Sequence, residues 1–472
     1  MAKFRPLAFT ADLRRVRLST LPIWLLAAML SGCAVAPTDF QPEIEPPKQF
    51  SATGQTARLD QWWRHFDDPA LQRLIDHALA DNFTLKAAAE RVRQAWAAAG
   101  IAGSELIPAL NASSGIQHDN DLEGFNTETF TLGLAASYEV DLWGRIRANT
   151  QAAERDAMAS QADWQAAALS LSGQIASAWY QWVEQRLQLA LLEQQIDTNE
   201  KFVRILKVRF QGGQATAADL FQQQQVLEGT IADRHRTLAN LNVLEHQLAV
   251  LSGLPPGELP LPDQVTFPKV PALPETGLTS DLITRRPDLQ RQLQRLKAAD
   301  LRIASAVADR FPRLGLNASL NTTAPDLRDF FNNWLATLAA NLVLPVIDGG
   351  RRIAEVQRRE AQMHEAWHDY SQQVLSALQE VENALSQEQQ QVLRWHSIER
   401  QVKFLSDANK QIFLRYIYGA IDFLRLLTSI TSLQSTERAL ISAERERIQF
   451  RIDLYRALAG GPQMAGNALA GE

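Results

Sequence analysis

The chain has 472 residues, 46% of them hydrophobic and 21% charged, a length that exceeds one small core and a balance that excludes wholesale disorder. Its formal charge is −6, and it falls to −10 once residues 1–32 are set aside with their five basic side chains (Lys3, Arg5, Arg14, Arg15, Arg17) and one acid (Asp12), which argues against nucleic-acid binding. The single cysteine, Cys33, excludes a disulfide framework, a CxxC redox pair or a cysteine zinc site within one chain.

Arg14, Arg15 and Arg17 precede ten apolar residues, Leu21 to Leu30, the charged-then-apolar pattern of an export signal. That segment is too short to span a bilayer as a stable helix. It ends in Leu30-Ser31-Gly32-Cys33, which resembles the bacterial lipoprotein box. The resemblance implies cleavage of residues 1–32, acylation of Cys33, and, with Ala34 rather than Asp next, sorting to the outer membrane. Several acyl chains anchor a protein stably where one does not. Residues 33–68 then read as an acylated, Pro-rich, extended tether (Pro37, Pro42, Pro46, Pro47). After residue 30 there is no run of 18 apolar residues. Any membrane crossing must therefore be a closed β-barrel, the other structure that satisfies its backbone in lipid.

Two stretches lack proline, 146 residues between Pro108 and Pro255 and 116 between Pro345 and Pro462. A proline inside a helix costs about 3 kcal/mol, so these stretches permit very long helices. Leu187, Leu191, Gln195, Phe202, Ile205 and Leu206 in the first, and Leu375, Leu378, Val381, Leu385, Val392, Val402 and Leu405 in the second, fall near helical spacing. The pattern predicts helices over 145–209, 216–251, 350–415 and 421–459, with breaks at Gly212-Gly213 and Gly419. Helices of about 100 Å, at 1.5 Å per residue, imply a coiled-coil assembly. A cytosolic scaffold is the plain alternative, and the export signal argues against it.

The chain also repeats itself. Leu85 and Pro108 correspond to Leu289 and Pro312, Asp141 to Asp348, Gly213 to Gly419, and LAVLSG at 248–253 to YRALAG at 455–460. This sets repeat 1 at 69–253, repeat 2 at 278–461, a linker at 254–277 with seven prolines, and a tail at 462–472. Just before each proline-free stretch the pattern changes to period two: Phe130, Leu132, Leu134, Ala136, Tyr138 and Val140 alternate with small or polar residues, as do Leu314, Leu316, Ala318 and Leu320, then Leu338, Ala340, Leu342 and Leu344. Four strands follow, near 109–118, 129–141, 312–323 and 335–346. They suit a membrane barrel, apolar outward and polar inward, although a half-buried soluble sheet alternates in the same way. The smallest membrane barrels have eight strands, so subunits must share one, and an open channel favours at least three subunits.

Trp62-Trp63 with Phe66, Asp68-Pro69 and Leu71, then Ala78-Leu79 and Asn82 through Gln94-Ala95, Asp141-Leu142-Trp143-Gly144-Arg145, and Pro345-Val346-Ile347-Asp348-Gly349-Gly350-Arg351 together resemble the TolC-like outer membrane factors, in particular the lipoprotein branch typified by OprM and NodT. The resemblance covers essentially the whole mature chain. It implies a mainly α fold with a membrane β portion, and a homotrimer that shares a 12-stranded outer-membrane barrel above a long periplasmic α-helical barrel. It implies a periplasmic adaptor and an inner-membrane pump of the resistance-nodulation-division type as partners, no cofactor beyond the lipid on Cys33, and no catalysis. Asp141, Trp143, Gly144, Asp348, Gly349 and Gly350 fall at its barrel-to-helix corners, where a side chain in place of glycine is expected to clash in the tight bend. The stretches Arg209 to Leu220 and Arg415 to Leu427, with Gly213, Asp219, Gly419, Asp422, Leu424 and Arg425, fall at its periplasmic mouth and adaptor tip. A threefold ring of Asp219 or Asp422 carboxylates would favour cations there, and Leu424 matches a leucine that narrows the pore. The same acids also suit the start of a helix, where the dipole stabilises them. Two positions depart from the family pattern: Thr428 replaces an acid found in some relatives, and Arg425 stands where the first copy has Asp219, free to pair with an acid.

His364-Glu365-Ala366-Trp367-His368 fits the HExxH zinc-protease motif. A catalytic zinc needs a third protein ligand, and Glu380, Glu382 and Glu388 lie about 18–30 Å further along one helix, so a hydrolase is a remote alternative and a polar stretch of the second long helix the better one. The expected function is the exit duct of a tripartite efflux system for small toxic compounds. Polypeptide secretion, metal-ion efflux and a coiled-coil lipoprotein spacer are the alternatives. The mature chain has three methionines (Met158, Met363, Met464), few soft ligands for a metal path.

Overall fold

The computed structural model describes residues 40–458, apart from 46, 56–60, 121–125, 278 and 327. The export signal, Cys33 and the tail at 462–472 lie outside the described residues. A turn of 3₁₀ helix (Trp62–Phe66) leads into α1 (Pro69–Asp81) and α2 (Phe83–Ser104). Strands β1 (Ala109–Asn120) and β2 (Asn126–Val140) follow, then α3 (Arg145–Gln211) and α4 (Ala217–Leu251). The second copy runs α5 (Thr279–Arg285), α6 (Pro287–Ala308), β3 (Arg313–Ala324), β4 (Trp334–Val343), α7 (Arg351–Ile417) and α8 (Phe423–Leu458).

Local chemistry sets these boundaries. Asp68 accepts from the backbone N–H of Ala70 (3.0 Å) and Leu71 (3.1 Å), with Pro69 at the first position of α1. Asn82 caps α2 through Leu85 N–H (3.0 Å), and its amide donates to Leu251 O (2.9 Å), fastening the start of α2 to the end of α4. Helices α3 and α7 each run 67 residues without a break, about 100 Å.

The four strands form one antiparallel sheet in the order β1-β2-β3-β4. Paired residues share a face, and the register joins Leu110 to Ala136, Leu134 to Leu320, Ala136 to Ala318 and Ala318 to Leu338. One face is therefore apolar across all four strands. The other carries Asn111, Ser113, Ser137, Asn317, Asn321 and Asn341. Within the subunit β1 and β4 each have a partner on one side only.

In the half of the helical wall nearest the sheet, α3 packs between α2 and α6, and α6 packs on α7. In the far half α3 packs between α4 and α8, and α8 packs on α7. Because α3 has neighbours on different sides at different heights, its buried residues follow no single stripe. Asp163 joins α3 to α6 through Arg291 (3.0 Å) and Arg295 (3.1 Å). The seam between α3 and α8 is polar and buried. Gln188 donates to Arg438 O (2.9 Å) and Gln195 to Gln434 O (3.2 Å), while Asn199 meets Thr230 (3.1 Å) and Gln434. Glu184 accepts from Ser442 (2.6 Å) and Arg445 (3.0 Å).

A waist joins the two halves. Trp62, Trp63 and Phe66 are each at most 1% exposed, packed among Leu71, Ile75, Trp179, Tyr180, Leu248 and Tyr455. A second core gathers Phe50, Leu282, Leu289, Tyr370, Val381 and Leu454. The segment expected as an extended tether is thus, over 40–55, held to the wall. Trp367 Nε1 donates to Gln41 O (2.8 Å), Glu43 N–H to Ser371 Oγ (3.0 Å) and Ser51 N–H to Glu382 (3.0 Å). The linker is held by Arg451, which is 3% exposed. It pairs with buried Glu388 (Nε to Oε2 3.0 Å) and donates to Pro271 O and Ala272 O.

This last pair makes a prediction. Glu388→Ala strands the Arg451 guanidinium in the core and is expected to cost about 3–5 kcal/mol. Glu388→Gln, which keeps an acceptor, should cost less. Urea unfolding of the detergent-solubilised protein checks both, and equal losses would mean that the charge of Glu388, and not its acceptor oxygens, holds Arg451.

Candidate functional site

The site is a surface running the length of the molecule, with a membrane wall, a corner and a tip. On the sheet, aromatic residues bracket the apolar face. Phe130 and Trp334 stand at the end away from the helices and Tyr138 at the helix end, with eight residues from Phe130 to Tyr138 spanning about 27 Å along the strand. At the tilt of barrel strands, about 40°, that stretch gives an apolar band about 20 Å tall between aromatic residues, the lipid-facing surface of a membrane barrel, and the opposite, Asn- and Ser-rich face is the lumen.

At the first corner Asp141 takes the N–H groups of Ile146 (3.0 Å) and Arg147 (2.9 Å), capping α3 from four residues upstream. Trp143 donates from Nε1 to Pro312 O (2.8 Å) and stacks on Phe311 at 4.9 Å, so the start of α3 is bolted to the turn between α6 and β3. At the second corner Asp348 takes Gly350 N–H (3.1 Å), Arg352 N–H (3.3 Å) and the Arg352 guanidinium (3.0 Å). Those bonds from Arg352 hold the Asp348 carboxyl below the usual carboxylate range. With the folded value lowered, this cap is fully present above the ordinary carboxylate range and is lost only as pH falls through the lowered one.

Gly144 (φ 76°), Gly349 (φ 66°) and Gly350 (φ 83°) all sit in the left-handed region. The expected reason, a clash, is corrected: a Cβ at any of the three meets nothing within 4 Å. The requirement is conformational, because the residue before each long helix needs a positive φ that other L-residues adopt at a cost of about 1–2 kcal/mol.

At the tip, α3 and α7 end alike. Gly213 (φ 70°) and Gly419 (φ 74°) turn the chain, with Gln214 N–H bonded to Arg209 O (2.8 Å) and Ala420 N–H to Arg415 O (2.8 Å), the six-residue closure of a Schellman motif. Asp219 and Thr216 form a capping box on α4, with Thr216 N–H to Asp219 at 2.8 Å and Asp219 N–H to Thr216 at 3.2 Å. Asp422 accepts Arg425 N–H (2.9 Å) at the start of α8. Both acids therefore do the work of helix starts. The Arg425 side chain makes no ion pair within the subunit among the described residues. Leu206, Tyr416, Phe423, Leu426, Leu427 and Ile430 form the tip's own core, with Arg209 4.8 Å above the Tyr416 ring. Leu424 is left 58% exposed, beside exposed Arg425 and Thr428.

The HExxH stretch resolves as a docking surface. His368 Nδ1 lies 3.1 Å from Glu43, and Trp367, stacked on His368, binds the Gln41 carbonyl. No group of three metal-ligating side chains is found among the described residues. This role for the motif was invisible in the sequence, since it depends on residues more than 320 positions away. The buried polar seam was equally missed, although Gln188, Gln195 and Asn199 repeat at helical spacing along one side of α3.

Comparison with known proteins gives a consistent result. The model of the outer membrane efflux protein family matches residues 74–254 and 278–460. The pyoverdine export outer membrane protein OpmQ of Pseudomonas aeruginosa is 32% identical over 94% of this chain and 97% of its own length. The cation efflux system protein CusC of Escherichia coli is 27% identical over 92% and 98%. The solved outer-membrane channel OprN superposes with a TM-score of 0.84 at 27% identity, covering 90% of this chain and 99% of that one. With both copies of the repeat matched and the fold shared from tip to barrel, the chain belongs to the outer membrane efflux protein family, as a subunit of a trimeric channel that works with a periplasmic adaptor and an inner-membrane pump and is not an enzyme.

Proposed function

We propose that this channel is the exit duct for small organic molecules, fed by a pump of the resistance-nodulation-division type and fixed to the outer membrane by acyl chains on Cys33 as well as by its barrel. The observation that carries the duct is the sheet: one face apolar across four strands, the other polar, with two free edges and 100 Å helices hung from its corners. OpmQ, named for the export of pyoverdine, supports an organic cargo. CusC, named for cation efflux, supports the second reading. Deletion of the gene should sensitise the cell to several unrelated antibiotics, dyes or detergents and leave copper and silver tolerance unchanged. Sensitivity confined to copper and silver would establish the cation reading, and an unchanged panel with a missing secreted polypeptide would establish secretion.

The anchor is tested separately. Cys33→Ser should remove the acyl mass seen by intact-protein mass spectrometry, while the protein still forms trimers and fractionates with the outer membrane, because strand closure drives both. Joint loss of trimer and membrane insertion would overturn that account.

At the mouth, Leu424 is the residue we assign to the constriction, since it is apolar and unshielded within its subunit, whereas Asp219 is engaged by its own helix start. In planar bilayers Leu424→Ser should raise the single-channel conductance of the purified trimer. Asp219→Asn, which keeps an acceptor for the cap, should leave conductance and cation preference unchanged; a matching change in both would place the acid in the pore instead.

A further inference from the structure

The loop between β3 and β4 does not stand clear of the barrel. Thr322 and Ala324 close β3 at the end away from the helices, and the register places both on the apolar, outward face, Thr322 opposite Leu132 and Trp334, and Ala324 opposite Phe130. On an outward face they should be open. They are instead 1% and 0% exposed within the single subunit. At Thr322 the loop contributes to that cover: Thr322 Oγ1 donates to Phe330 O at 2.7 Å, which holds the Phe330 backbone beside that face. Turns bring it there, with Asp326 taking Arg328 N–H on its side chain (3.0 Å) and Asp329 N–H on its carbonyl (3.1 Å), and Asp329 O taking Asn332 N–H (3.1 Å).

The fold-back includes two aromatic residues. Phe330 and Phe331 pack edge to face at 5.6 Å, and Phe331 remains 70% exposed, three residues before Trp334, itself 42% exposed on the apolar face of the sheet. A large ring turned toward water has no packing reason to be there, whereas at the boundary between hydrocarbon and headgroups it is at its preferred depth.

We propose that the β3–β4 loop is a membrane foot, which docks on the lipid-facing side of its own sheet and seats Phe331 in the headgroup layer of the outer leaflet, fixing the depth of the barrel. The occupant of this surface is lipid, because the patch is continuous with the apolar band that already faces the bilayer. The alternative occupants are water and the adjoining subunit, since the loop leads into β4, the strand at the subunit edge.

The test is a depth measurement on the full-length trimer in phosphatidylcholine vesicles. A nitroxide label is placed at Phe331→Cys, with Leu338→Cys as the mid-band reference, Asn317→Cys as the lumen reference, and the parent chain as the blank for Cys33. Collision rates with oxygen and with a water-soluble nickel chelate are read by electron paramagnetic resonance. The label at 331 should favour oxygen over nickel, at an interfacial depth shallower than 338. A nickel accessibility equal to that at 317 would overturn the proposal in favour of a solvated loop. An immobile label shielded from both reagents would overturn it in favour of the adjoining subunit. Nickel reaching 338 would remove the face assignment, and the proposal with it.

Discussion

A backbone N–H or C=O left unpaired in hydrocarbon costs several kcal/mol, and this subunit carries two whole strands with one side unpaired. Among the described residues no further strand pairs with either edge. Four alternating strands have the useful property that their edges run in opposite directions, so β4 of one subunit meets β1 of the next with the antiparallel pattern intact around the ring. The contact is heterologous and closes by rotation, which is how a cyclic oligomer forms without a self-complementary patch. Closure, and with it the trimer, is a condition for the strands to exist in lipid at all.

The helical wall obeys a different rule. In water its backbone is already satisfied, so side chains decide how the helices register. Apolar cores lie at the waist and at the tip, with a polar seam between, where Gln188, Gln195 and Asn199 on α3 engage α8. Leucines slide against one another with little penalty. Amides that must find particular carbonyls do not, because a one-turn slip leaves buried polar groups without partners at about 1–3 kcal/mol each. The seam therefore fixes the vertical position of α8 relative to α3.

Much of the architecture was legible in the sequence. The two proline-free stretches marked the long helices, and the strict alternation from Phe130 to Val140 marked a strand whose apolar side runs straight across the sheet. The corner and tip glycines were legible as turns, although their reason was misread: the space around Gly144 and Gly350 is open, and only the sign of φ demands glycine. The sequence was silent wherever a contact joins distant segments. His368 and Trp367 imitate a metal motif because their partners, Glu43 and the Gln41 carbonyl, belong to the other end of the chain. Local patterns reveal periodicity and turn chemistry, whereas burial of a polar side chain depends on what the fold brings to it.

Helices α3 and α7 alone run unbroken from corner to tip, while every other helix stops at the waist. Each is therefore a lever with its fulcrum at a glycine corner. Over an arm of about 100 Å, a pivot of about 3° displaces the free end by roughly 5 Å, nearly the rise of one helical turn. A wall built this way converts an angular change too small to disturb the barrel's hydrogen bonds into a change of bore at the far end. It also does the reverse: a partner gripping the tip holds mechanical advantage over the rim in the membrane.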